Sequence, residues 1–230
     1  MTTVTVTQAD FLANGHNKDR LIKLLTSGFN SKGVRVVQAA SDTDTLIVQT
    51  ALSKATPKNE EVIVVATDTD VLLMLLARSP TENKIKFLSP GSKMYDVENV
   101  QKTLGRKKNR LLFVHAITGC DTTSSLFGKG KRTAWKMLDV DDVDKITTVF
   151  NNPKSKKETI AESGEKFLVK LYGGGNEYPT LDELRGRIYA RTIAKQPVTT
   201  TFDLATLPPT SSASKQHSFR TFLQVIALNS

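Results

Sequence analysis

The strongest constraint on the fold is a pattern that runs twice between Val34 and Ala77. Val34-Arg-Val-Val-Gln-Ala39 is a short β-branched run, Ser41-Asp42-Thr43-Asp44 follows it, and Thr45 to Leu52 has helix-forming composition. Glu61 to Ala66, Thr67-Asp68-Thr69-Asp70 and Val71 to Ala77 repeat that order. Short runs rich in valine and isoleucine fit buried strands, and strand, turn, helix, strand is the grammar of a parallel sheet with right-handed crossovers. In such sheets ligands bind beyond the carboxyl ends of the strands, where both acidic turns would fall. Taken singly, each turn also reads as a helix cap: Ser41 with Asp44 fits a capping box, Asp68 fits an N-cap, and an acid in a first turn suits the helix dipole.

A third carboxylate sits in the stretch Leu111 to Leu138. An apolar run ends in Gly119-Cys120-Asp121, a polar turn follows, and Gly128-Lys129-Gly130 opens a basic, helix-forming segment with Lys131 and Arg132. A glycine turn at a helix start offers backbone N–H groups to an anion, and the adjoining cations add charge. From Gln101 to Lys136 there are nine basic residues and one acid, Asp121. That local excess is the electrostatic footprint of a phosphate-binding face, although a lysine-rich loop can also be merely solvated.

The spacing from Gly119 through Gly130 to Ala134 resembles the Gly-x-Asp…Gly-x-Gly-x-x-x-Ala stretch of flap endonuclease and XPG-type nucleases, which have a PIN-like fold. It is most similar to that domain as carried by transposon-associated animal proteins. Val62 to Leu76 resembles the family's Ala-Thr-x-Asp-x-Asp segment, at Ala66, Thr67, Asp68 and Asp70. Val34 to Leu52 resembles its strand and acidic turn, with Asp42 and Asp44 replacing two glutamates. The resemblance covers about residues 30 to 140. It implies an α/β, PIN-like parallel sheet flanked by helices, a helix-three-turn-helix DNA-binding element and a helical C-terminal extension. It also implies a two-metal nuclease hydrolysing DNA phosphodiesters, with branched DNA or single-strand/duplex junctions as substrates. The metal ligands, for Mg²⁺ or Mn²⁺, would be Asp42, Asp44, Asp68, Asp70 and Asp121. Asp68, Asp70 and Asp121 would be catalytic, and Gly128, Lys129, Gly130, Lys131 and Arg132 would hold the DNA backbone.

Two departures from the family qualify this expectation. The aspartates that the family places on two N-terminal strands have no counterpart, so the chain reads as a truncated product with five of seven carboxylates and, in the limit, one ion. Asp for Glu at 42 and 44 also shortens ligand reach by about one methylene. The alternative is a nuclease-derived module that binds nucleic acid without cutting it.

Composition sets the remaining bounds. With 230 residues and 39% hydrophobic, the chain can bury a core. No apolar run approaches the roughly 20 residues that span a bilayer, and Met-Thr-Thr-Val lacks the features of a signal peptide. An intracellular, nuclear protein without a membrane partner is expected. One cysteine, Cys120, excludes a disulfide framework and reads as a small buried residue. His115, in an apolar run, reads as a core histidine.

The expected domains are residues 1–150, PIN-like; 151–206, a helical extension; and 207–230, a Pro/Ser linker with a terminal helix. Thr3 to Thr7 alternates as a strand, Asp10 to Leu25 reads as a helix, Lys84 to Leu88 as a strand, and Asp96 to Leu104 as a helix. Further helices are expected from the acidic run at Asp139 to Phe150, from Thr159 to Tyr172, from the capping box Thr180-Leu-Asp-Glu183 to about Ala194, and from Lys215 to Ile226. Leu207 to Ser214 reads as a linker.

Overall fold

A computed structural model describes residues 6–40, 42–55, 61–91, 93–138, 142–175, 177–195 and 202–229. The chain divides into two compact units, Met1–Thr43 and Asp44–Ser230. In the first, the single helix expected from Asp10 to Leu25 is two, α1 (Gln8–Ala13) and α2 (Gly15–Asn30). The break lies at Asn14, whose extended backbone interrupts the helix while its side chain accepts from the amides of His16 and Asn17 at 3.0 and 3.4 Å. Neither helix contributes a buried residue. Residues 34–39 form no strand, and Val34 and Val37 are exposed. The expected strand at Thr3 to Thr7 falls largely outside the described residues.

The second unit is mostly helical around a small mixed sheet. Helix α3 (Thr43–Lys54) lies at its boundary and buries Val48 and Ala51. Strand β1 (Val62–Val65), helix α4 (Thr69–Arg78) and strand β2 (Ile85–Leu88) form the expected parallel crossover, with Val62 paired to Ile85 and Val65 to Leu88. The wholly parallel sheet does not continue. The Pro90-Gly91 turn sends the chain straight back as β3 (Met94–Asp96), antiparallel to β2, so the order is β1-β2-β3. Val64, Ile85 and Phe87 are buried, whereas Ile63 and Val65 on the other side of β1 are exposed. Among the described residues no strand precedes Asp42 and Asp44, so of the expected acidic turns the one at Asp68 and Asp70 follows a strand of this sheet.

Helix α5 (Val97–Leu104), capped by Asp96, runs into a 3-10 segment, Gly105–Arg110, and then into α6 (Leu111–Ile117). All seven residues of α6 are buried. A loop leads to the short α7 (Lys131–Lys136), followed by α8 (Val143–Asn151), α9 (Lys157–Leu171) and α10 (Leu181–Ile193). Thr180 caps α10 by accepting from Glu183 N, as its capping-box sequence requires. Another 3-10 turn, Leu204–Thr206, precedes α11 (Ser211–Asn229).

The stretch read as a linker, Leu207 to Ser214, is therefore partly structural: Leu207 is buried and α11 starts at Ser211. Helix α11 packs against α9, α6, α8 and α4, so the last elements complete the same core as the sheet. Phe113 anchors that core, with ring centroids 4.8 Å from Phe150 and 4.9 Å from Phe167. Helices α9 and α11 touch at Gly164, where a Cβ would lie 2.0 Å from Ser218 Oγ.

Two polar devices fix the frame of the site. Gln101 Nε2 donates to the carbonyls of Leu76 and Ser79 at the end of α4, at 2.9 and 3.0 Å, while its oxygen accepts from Asn83. Those carbonyls have no partner within their own helix, and the buried amide supplies one. The buried guanidinium of Arg110 bonds the Leu138 carbonyl and pairs with Asp144 at 2.6 Å, joining the start of α6 to the first turn of α8 and the loop before it.

Candidate functional site

The site is built from the two turns that flank buried helices. Asp68 has an extended backbone and accepts from Asp70 N through Oδ1 at 2.8 Å, which is an ordinary N-cap for α4. That cap turns Asp70 inward, where its Oδ2 lies 3.2 Å from His115 Nε2. His115 is 3% exposed, and neither ring nitrogen has a hydrogen-bond partner. Burial holds the imidazole below its ordinary pKa; Asp70 opposes this, Lys131 reinforces it, and Asp121 and Asp68 oppose it more weakly. The ring is accordingly neutral at pH 7, and its approach to Asp70 is a contact off the hydrogen-bonding line rather than an ion pair.

The second turn leaves α6. Thr123, buried, donates to Ala116 O at 2.7 Å and accepts from Cys120 N at 3.0 Å, closing the chain back on the helix it has just left. Gly119 makes the reversal possible: its φ is +110°, and a Cβ there would sit 2.7 Å from Ser125 Cα. Asp121 is carried at the exposed tip of this turn. Thr122 donates to Gln224 of α11 at 2.7 Å, and His217 of α11 contacts Ile117 O through Nε2 at 2.8 Å, so the terminal helix supports the turn from behind. Cys120 is half-buried, its sulfur 3.2 Å from the Thr123 hydroxyl.

The basic segment divides in two. Lys131 donates to Gly119 O at 3.0 Å, which brings its ammonium to the Asp121 turn, and Arg132 is exposed beside it. Lys129 points elsewhere: its ammonium lies over Tyr172, 5.4 Å from the ring centroid, and its amide donates to Leu126 O at 3.1 Å. Gly130 caps α7 with an ordinary extended φ of −78°, and Gly128 takes a left-handed φ of +64°. With only six residues, α7 carries little macrodipole, so charge on Lys131 and Arg132 outweighs helix polarity here.

Asp68, Asp70, Asp121 and Lys131 thus act on one buried imidazole. Asp44 lies in the first turn of α3, in the second unit, and Asp42 belongs to the first. Asp139 and Asp141, at the start of the acidic run, lie outside the described residues. Among the described residues no three or more His, Cys, Asp or Glu side chains converge closely enough to share an ion. The donors near His115 are hard carboxylate oxygens, the kind that suits an ion keeping several waters and taking only one or two carboxylates. Among the described residues they do not assemble a closed two-ion cage.

His115 is the participant that sequence reasoning assigned only to the core. Its signal was a lone ionisable side chain within an otherwise apolar run, two residues from the end of that helix and six before Asp121. Among the described residues no helix is long and apolar enough to cross a membrane. The chain matches no known protein family, no curated protein and no solved structure.

Proposed function

We propose that the second unit carries a metal-dependent, nuclease-type site on a PIN-like domain, acting on DNA phosphodiesters at branches or single-strand/duplex junctions. The observation that carries this reading is that Asp70, from the turn before α4, touches the buried His115, while Lys131 bonds the turn that carries Asp121. Asp68, Asp70 and Asp121 would hold a divalent ion, Mg²⁺ or Mn²⁺, which when bound supplies an activated water and a charge for the leaving oxygen. Lys131 and Arg132 neutralise the phosphate backbone beside them. A neutral His115 leaves Asp70 free of a competing cation, so that carboxylate remains available to an ion. Gly119 holds Asp121 at the tip of its turn. Asp42 and Asp44 are not part of this proposal. DNA as substrate implies a nuclear place of action.

A second reading, binding without hydrolysis, is favoured by the absence of a three-ligand cluster among the described residues. Both readings are tested together. Labelled branched and single-stranded DNA is incubated with Mg²⁺ or Mn²⁺ and either the unaltered chain or Asp121→Ala. Metal-dependent cuts that vanish in the variant, with binding retained, support the nuclease. Binding without cuts supports the second reading, and absence of binding refutes both. Replacing Lys131 and Arg132 by alanine should weaken binding and lower the slope of log K against log salt by about 2.

A further inference from the structure

Helices α4, α6 and α7 border an open pocket of about 240 Å³, lined by Leu73, Leu111, Val114, His115, Lys131, Arg132 and Trp135. Its exposed lining is mostly apolar, His115 is among the lining residues, and so are two cations. Lys107 adds a third, 5.9 Å from the indole centroid. The cavity is smaller than the roughly 300–1,000 Å³ of pockets for drug-sized ligands, so it has room for one planar ring system. His115, one of its lining residues, also touches Asp70. An apolar slot with an indole wall and cations beside it satisfies a nucleotide in both its parts. The base faces give up water to the aliphatic and aromatic walls, and the phosphates on either side meet Lys131 and Arg132.

We infer that this cavity receives a single unstacked nucleobase of a DNA strand, with Lys131 and Arg132 holding the flanking phosphates. The inference rests on the proposed function and deepens it by naming the substrate form: a base in this slot cannot remain stacked in a duplex. A strand whose base enters beside His115 brings its adjoining phosphate toward Asp70. Substrates with a frayed or unpaired nucleotide are therefore selected over continuous duplex. The driving force is stacking and desolvation, which every base provides, so little sequence preference results.

Trp135 is the only tryptophan, which makes it a reporter inside the proposed site. The full chain, with EDTA present to prevent hydrolysis, is titrated with an eight-nucleotide oligothymidylate and with an abasic strand of equal length and charge. Indole emission and the anisotropy of an end-labelled strand are both read. The intact strand should bind about five- to a hundredfold more tightly and quench Trp135, whereas the abasic strand should bind without a change in emission. Leu73→Phe, a half-buried position where added bulk narrows the slot, should remove the preference and leave abasic binding unchanged. Equal affinity for both strands, or an equal Trp135 response to both, overturns the base site while the backbone clamp stands. Failure of either strand to bind overturns the clamp and the base site together.

Discussion

Gly119→Ala tests whether the turn that carries Asp121 is as constrained as its geometry indicates. Two costs add. At φ +110° the residue lies outside the regions open to L side chains, and a conformation of that kind costs about 1–3 kcal/mol. The new methyl would also lie 2.7 Å from Ser125 Cα, 3.0 Å from Ser125 N and 3.2 Å from Ser124 O. All three are backbone atoms in a loop tied down through Thr123, so none can swing aside as a side-chain tip could; overpacking of this kind costs about 1–3 kcal/mol. The expected loss is about 3 kcal/mol. In urea, with a slope of about 1–3 kcal/mol/M, the midpoint should fall by at least about 1 M with the slope unchanged. Trp135 emission follows the second unit alone, which avoids averaging over both units. Gly130→Ala is the control: it lies in the same loop, with φ −78° and nothing within 4 Å of an added Cβ, and should cost under about 1 kcal/mol. If Gly119→Ala stays within about 0.5 kcal/mol of the unaltered chain, the turn is not rigidly set and the argument that it positions Asp121 fails.

Two further perturbations address the frame. Gln101→Leu leaves the Leu76 carbonyl without the amide that satisfies it, while Ser79 O keeps Lys108 Nζ, and should cost about 1–3 kcal/mol by urea denaturation. For His217, burial lowers the pKa, its bond with Ile117 O opposes the shift, and Arg220 reinforces it. A folded pKa below the unfolded value of about 6.5 means that the unfolded chain binds more protons, so stability should fall as pH drops through 6.5 toward 5. Denaturation midpoints between pH 7.5 and 5 should show this fall, and His217→Gln should flatten part of it; an unchanged pH dependence would count against the assignment.

Much of the second unit was legible because its signals are local. Val62 to Val65, the Asp68 cap and the Thr180 capping box each declare an element within a few residues, and each stands where its sequence indicates. What was not legible depends on partners distant in the chain. Val34 to Ala39 has strand composition, but a strand exists only where another pairs with it. The direction of β3 was decided by a tight turn at Pro90-Gly91 that overrode the expected parallel order. At the site, the approach of Asp70 to His115 required the crossing of α4 and α6. The placement of Lys129 over Tyr172, the residue that ends α9, was hidden for a similar reason.

The ties between α6 and α11 have a consequence for the order in which the chain acquires its structure. His217 meets Ile117 across 100 residues, and Thr122 meets Gln224 across 102. Local helices can form early, but these closures come only after long loops have been drawn in, and non-local contacts of that kind slow folding. During synthesis α6, buried on every side in the finished fold, emerges well before the terminal helix that packs on it. Until α11 arrives, that segment is an open hydrophobic surface suited to chaperone capture or self-association. The turn bearing Asp121 then receives its support last, so the site would mature only when the unit closes.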